Sequence, residues 1–117
     1  MAGIKMMKAL EISARDVDME GAEGVNIRWL ISKDDGAPGF AMRLFEVAPG
    51  GHSPLHSHDW EHEVYVVDGR GELESGGDRR PFEKGWFILV PPGMEHSFIN
   101  TGDGVMRFLC LVPNDSY

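Results

Sequence analysis

Apolar and polar residues alternate along this chain in short runs, and glycine, proline and aspartate break the runs at close intervals. A period of two is the signature of strands with one buried face, whereas a helix would repeat every three to four residues. The pattern predicts strands over 26–32, 40–47, 60–67, 72–73 with its neighbours, 86–90, 97–100 and 105–112. Between them, 33–39, 48–51, 68–71, 75–78, 91–93 and 101–104 read as turns. Proline presets φ there, and glycine or aspartate tolerates positive φ. No helical period convinces after the first twenty residues, and no repeat or linker divides the chain. The expectation is an all-β sandwich or barrel, with 1–25 as an N-terminal segment contributing an edge strand and 26–117 as the barrel domain.

Alternation also assigns faces. In 105–112, Val105, Leu109 and Leu111 share the side of the only charge, Arg107, so Met106, Phe108, Cys110 and Val112 point inward. His62, Val64 and Val66 share one face, opposite Glu61, Glu63 and Tyr65, and His96, Phe98 and Asn100 share another. Leu109 and Leu111 are apolar on the outer side, so a second sheet or a second subunit is expected to cover it.

Composition narrows the function classes. A chain of 117 residues with 42% hydrophobic and 26% charged residues is sized for one globular domain. Its net charge of −8 and lack of any Lys/Arg cluster argue against nucleic acid as a partner. No apolar run is long enough to span a bilayer, and the N-terminus lacks the pattern of a signal peptide. The single cysteine, Cys110, excludes an internal disulfide and suits a reducing, cytoplasmic setting.

The chemistry is concentrated in histidine. His56, His58 and His62 fall in one segment and His96 in another. Imidazole is the commonest side-chain metal ligand, and an i, i+2 pair on a strand would put both rings on one face. A third after a short turn and a fourth from a distant strand could complete a site that only the folded chain assembles.

The spacing carries a family resemblance. Gly50, His56, His58, His62 and Gly69 follow the first cupin motif, and Gly85, Pro91, Gly93, His96 and Asn100 match the second position for position. The chain therefore resembles the cupins, which implies a double-stranded β-helix, or jelly-roll, barrel. Most cupins carry glutamate where the six-residue gap to Gly69 places His62. Glu63, four residues from His58, fits a looser form of the motif. Alternation lets only one of the two face a metal, and the preserved gap favours His62. The segment His56-Ser-His-Asp-Trp-Glu-His62 resembles the small tetrahistidine cupins. That resemblance implies manganese or another divalent transition metal, a homodimer, and an association with peroxide-dependent alkene cleavage.

Four neutral imidazoles leave a divalent ion with a charge of about +2, against about +1 with one carboxylate. Such a site favours anionic or enolate-type oxygen donors and nitrogen-preferring ions over magnesium or calcium. One divalent ion per chain is expected: manganese by resemblance, with iron, copper, nickel or zinc as alternatives. Four ligands on an ion that prefers six leave two positions for water, dioxygen, peroxide or substrate. Zinc held tetrahedrally would close the site.

Other residues have plainer readings beside their functional ones. Phe108, Phe98 and Phe87 are core residues first, Cys110 a small buried hydrophobe, and His52 a solvated loop histidine. Trp60 and Trp86 belong at sheet edges or a subunit contact, and Asn100 closes a turn. Glu61, Glu63 or Glu95 would supply an acceptor for a ligand N–H. The leading function is an oxidoreductase or dioxygenase-like enzyme for a small hydrophobic or aromatic substrate, with Phe108, Cys110 and Arg43 as cavity candidates. A non-redox isomerase or decarboxylase would need a charged anchor in the cavity, for which Arg43 is the one cation suitably placed. A non-catalytic small-molecule sensor is the third reading.

Overall fold

Strand-forming alternation and closely spaced turns fold into a curled antiparallel sheet. The computed structural model describes residues 3–117. Its strands are β1 (Arg15–Asp16), β2 (Glu23–Ile31), β3 (Phe40–His52), β4 (His62–Asp68), β5 (Arg70–Ser75), β6 (Asp78–Glu83), β7 (Phe87–Val90), β8 (Ser97–Asn100) and β9 (Met106–Pro113). They pair in the order β6-β5-β8-β3-β9-β4-β7, with β2 on the other edge of β3 and β1 beside β2. Among the described residues helical structure is limited to three single turns, at Ala9–Glu11, Lys33–Asp35 and Asn114–Ser116. This is the all-β barrel architecture expected from the motif spacing.

The longest strand differs from its expected extent for a physical reason. The sequence 48–51 reads as a turn, yet β3 runs through it to His52. The Pro-Gly-Gly step bends the strand instead of ending it. Beyond the bend, His52 pairs with Glu23 on one side and Ile99 of β8 on the other. Gly51 is needed because a β-carbon there would sit 2.6 Å from Glu23 O. Strand β6, Asp78-Arg-Arg-Pro-Phe-Glu83, escapes the sequence pattern because four of its six side chains are charged and only Phe82 is buried. It is an edge strand held by its register with β5, where charge and proline are tolerated.

Face assignments hold on β9 and β4. Met106, Phe108, Cys110 and Val112 are buried, while Arg107, Leu109 and Leu111 are partly exposed. Val64 and Val66 join them in the core. Phe45 stacks on Phe108 at 5.2 Å between ring centres, and Phe98 meets Phe108 at 4.8 Å. Phe87 is not a core residue: it is 82% exposed, because its register with Tyr65 puts it on the outer face. All four motif glycines, Gly50, Gly69, Gly85 and Gly93, have φ between 79° and 90°. The motif spacing is therefore a backbone requirement for left-handed turns as well as a ligand pattern.

Candidate metal centre

The cluster forms where two loops are laced together. His56 and His96 exchange backbone hydrogen bonds, N to O, at 3.2 and 2.9 Å, and Gly93 N donates to His58 O at 2.8 Å. Ser53 and Ser97 continue the seam: Ser97 Oγ donates to Ser53 O, and Ser53 Oγ accepts from Phe98 N at 2.8 Å. His56 and His58 thus do not sit at i, i+2 on a strand; they lie in the loop before β4. Pro54 has no N–H for a ladder, so the segment curves, and the isolated bridge to His96 fixes it. His62 is the first residue of β4, and His96 immediately precedes β8.

The four rings converge. Ring centres lie 5.0 Å apart for His56–His58, 5.2 Å for His56–His96 and 5.1 Å for His58–His96. His62 lies 4.5 Å from His58 and 5.0 Å from His96. Potential ligand atoms of His56, His58 and His96 all fall within 4.8 Å of one another. His62 reaches this group through His58, with the two Nε2 atoms 2.8 Å apart. Glu63 is exposed on the opposite face of β4, paired with Leu89 and Leu111.

Outer hydrogen bonds orient the rings. His58 Nδ1 faces Trp60 O at 3.2 Å, and His96 Nδ1 faces Met94 O at 2.9 Å. A proton on each Nδ1 leaves Nε2 as a lone pair directed at the cluster. His62 Nδ1 lies 3.0 Å from Cys110 Sγ, which accepts from Arg43 Nη2 at 3.1 Å. The groups that steer the rings are thus backbone carbonyls and a thiol; Glu61, Glu63 and Glu95 do not fill that role.

Burial sets the protonation states. It lowers His62 to about 3, with the Arg43 charge and the neighbouring rings acting in the same direction. Burial likewise lowers His56, reinforced by His96 and His58. His96 is lowered by burial against an opposing hydrogen bond to Met94. Burial raises the Cys110 thiol, although Arg43 opposes it. Two imidazole lone pairs that face each other at 2.8 Å, as Nε2 of His58 and His62 are placed to do, repel unless a proton or cation joins them. The donor set therefore fits a nitrogen-preferring divalent ion.

A cavity of about 230 Å³ opens beside the cluster, and its wall includes Arg43, Phe108, Cys110 and all four histidines. Trp60 belongs to this wall as well, contrary to a sheet-edge role: its indole stacks on His58 at 4.3 Å with planes 3° apart. Trp29, Phe45 and Tyr117 also line it. The alternation of β3 signals Phe45, which shares its face with Arg43. Tyr117 has no such signal, since only the chain's path brings it there. His52 is half-buried at the end of β3, 3.8 Å from Glu23, and Trp86 is 50% exposed. Asn100 closes its turn, donating to Val47 O and Gly104 O and accepting from Gly102 N.

The chain is similar to known proteins. The family described as "Cupin domain" matches residues 43–112. The oxalate-binding protein of Thermotoga maritima is 30% identical over 113 residues, 92% of each chain. The 1-methylthio-D-xylulose 5-phosphate methylsulfurylase of Rhodospirillum rubrum is 35% identical over 71 residues, 61% of this chain and 46% of that protein, so the chain spans less than half its length. Among solved structures, the polyketide cyclase RemF from Streptomyces resistomycificus superposes with a TM-score of 0.91 at 34% identity, covering 96% of this chain and 80% of that one.

Proposed function

The chain belongs to the cupin domain family, and from that premise we propose that it is a mononuclear metalloenzyme whose cavity admits a small hydrophobic or aromatic substrate. The observation that carries this reading is the convergence of four imidazole rings, with no carboxylate among them, in the wall of an aromatic cavity. His56, His58, His62 and His96 hold one divalent transition-metal ion, manganese by resemblance. When bound, the ion supplies Lewis acidity and, if redox-active, a path for electrons. Trp60 O and Met94 O fix the tautomers of His58 and His96, and Cys110 Sγ sits against Nδ1 of His62 and holds its ring in place. Phe45, Phe98 and Phe108 exclude water and orient an apolar body.

The leading reaction class is oxidoreductase or dioxygenase-like chemistry with dioxygen or peroxide as co-substrate. Arg43 in the cavity wall favours a second reading, non-redox isomerisation or decarboxylation with the ion as Lewis acid. Oxygen and peroxide consumption across a reconstituted metal panel separates the two. For the site, elemental analysis should find one ion per chain, and His62→Ala should weaken its retention by at least about tenfold while Glu63→Ala leaves it unchanged. The reverse result would make the centre a three-histidine, one-glutamate site. The same reading places the protein in the cytoplasm as a homodimer. Supporting the dimer is an outer sheet face that exposes Phe87 by 82% and Leu89 by 60%; a monomer in sedimentation at micromolar concentration removes that part.

A further inference from the structure

Three arginines approach the β2–β3–β9 region of the sheet, and two are neutralised. Arg28 Nε donates to Glu46 Oε1 at 3.0 Å and Arg107 Nε to Glu46 Oε2 at 2.8 Å, both on the outer face. Arg43 projects to the other face, into the cavity, and among the described residues no carboxylate lies within 4.0 Å of it. Among the described residues its Nε is buried without a partner, and Nη2 meets only the Cys110 sulfur at 3.1 Å and His62 Nδ1 at 3.5 Å. The guanidinium is held over the rings of Trp29 and Phe45, 5.4 and 5.0 Å from their centres. Aromatic faces position a cation but do not neutralise it.

A half-buried cation without a counter-ion is costly to fold, and a divalent ion held only by neutral imidazoles beside it makes the cavity more positive still. Hydrogen bonds within the fold leave most of the five N–H groups of Arg43 unused. We propose that Arg43 is the anion-recognition residue of this cavity, and that the ligand is a small organic carboxylate or other oxyanion carried on an aromatic or apolar body. The geometry also sets the ligand's shape. Arg43 faces Nδ1 of His62, whereas Nε2 of the same ring faces His58 and the cluster centre. The anionic end is therefore held an imidazole ring's width from the metal position. An apolar body must bridge that gap, along the wall formed by Phe45 and Phe108. This inference rests on the metalloenzyme reading for the end of the ligand that faces the cluster.

The test is binding, followed by tryptophan fluorescence and calorimetry, of two isosteric pairs: 2-naphthoate against 2-naphthamide, and benzoate against benzamide. The purified protein should bind at least one acid roughly tenfold or more tightly than its amide. Arg43→Met should abolish that preference and Arg43→Lys should keep most of it. The same pairs are measured after chelation, with metal content read by elemental analysis. An acid preference that depends on Arg43 and persists without metal supports the inference even if the metal reading fails. Equal affinity for acid and amide in both pairs overturns it. A preference that survives Arg43→Met but vanishes on chelation also overturns it, because the ion alone would then be the anion anchor and the metal reading would stand.

Discussion

The two faces of β3 treat charge in opposite ways within four residues. Glu46 points outward, and its carboxylate joins Arg28 and Arg107 in a bridge across β2, β3 and β9 that continues toward Asp68, 3.6 Å from Arg107. Arg43 points inward to aromatic rings, a thiol and a histidine, with no acidic partner among the described residues. The outer cations are consumed by architecture: they tie neighbouring strands together by donating to one shared carboxylate. The inner cation is left over. Where a fold neutralises two arginines and leaves a third uncompensated beside a ligand cluster, the third is the one available to a ligand.

The comparison breaks most readily at Glu46. Glu46→Ala should cost on the order of 2 kcal/mol in urea unfolding, because it removes the carboxylate that two partly buried guanidinium groups share. A loss within a few tenths of a kcal/mol would mean the bridge is ornamental. The next effect is set by pH. Burial raises the Glu46 carboxyl, but hydrogen bonds and charges from Arg107 and Arg28 outweigh it, so the group lies below its usual 4.5. Its folded pKa is depressed, so its contribution is complete above about 4.5 and is lost as pH falls through the folded value. Stability should therefore decline with acid in that window, and Glu46→Gln should flatten this part of the profile. An unchanged slope would assign the acid sensitivity to other groups. The smallest effect belongs to Arg43. Arg43→Met keeps the stem's packing and removes an uncompensated charge, so it should change stability by less than about 1 kcal/mol or raise it. A loss as large as that of Glu46→Ala would make the two faces equivalent and Arg43 a structural residue.

Much of the barrel is legible in the sequence because alternation is a local property. Cys110 and Phe108 inward, Leu109 and Leu111 outward, and His62 opposite Glu63 all follow from period two alone. Legibility fails where tertiary context overrides local signals. Strand β6 is charged at four of its six positions and exists because β5 supplies its ladder. Phe87 looks like core, but its register with Tyr65 turns it to solvent. Trp60 looks like an edge residue, but the curved loop lays it flat on His58.

By itself, then, the sequence determined the strand pattern, the positive-φ glycines that set the motif spacing, and which histidines were candidates, since each depends on neighbours a few residues away. Only the tertiary structure decided that His56 and His58 converge from a loop pinned to His96, that carbonyls and a thiol orient the rings, and that Arg43 lacks the carboxylate its two counterparts share. Those facts depend on which distant strands lie side by side, and pairing register is a property of the whole sheet.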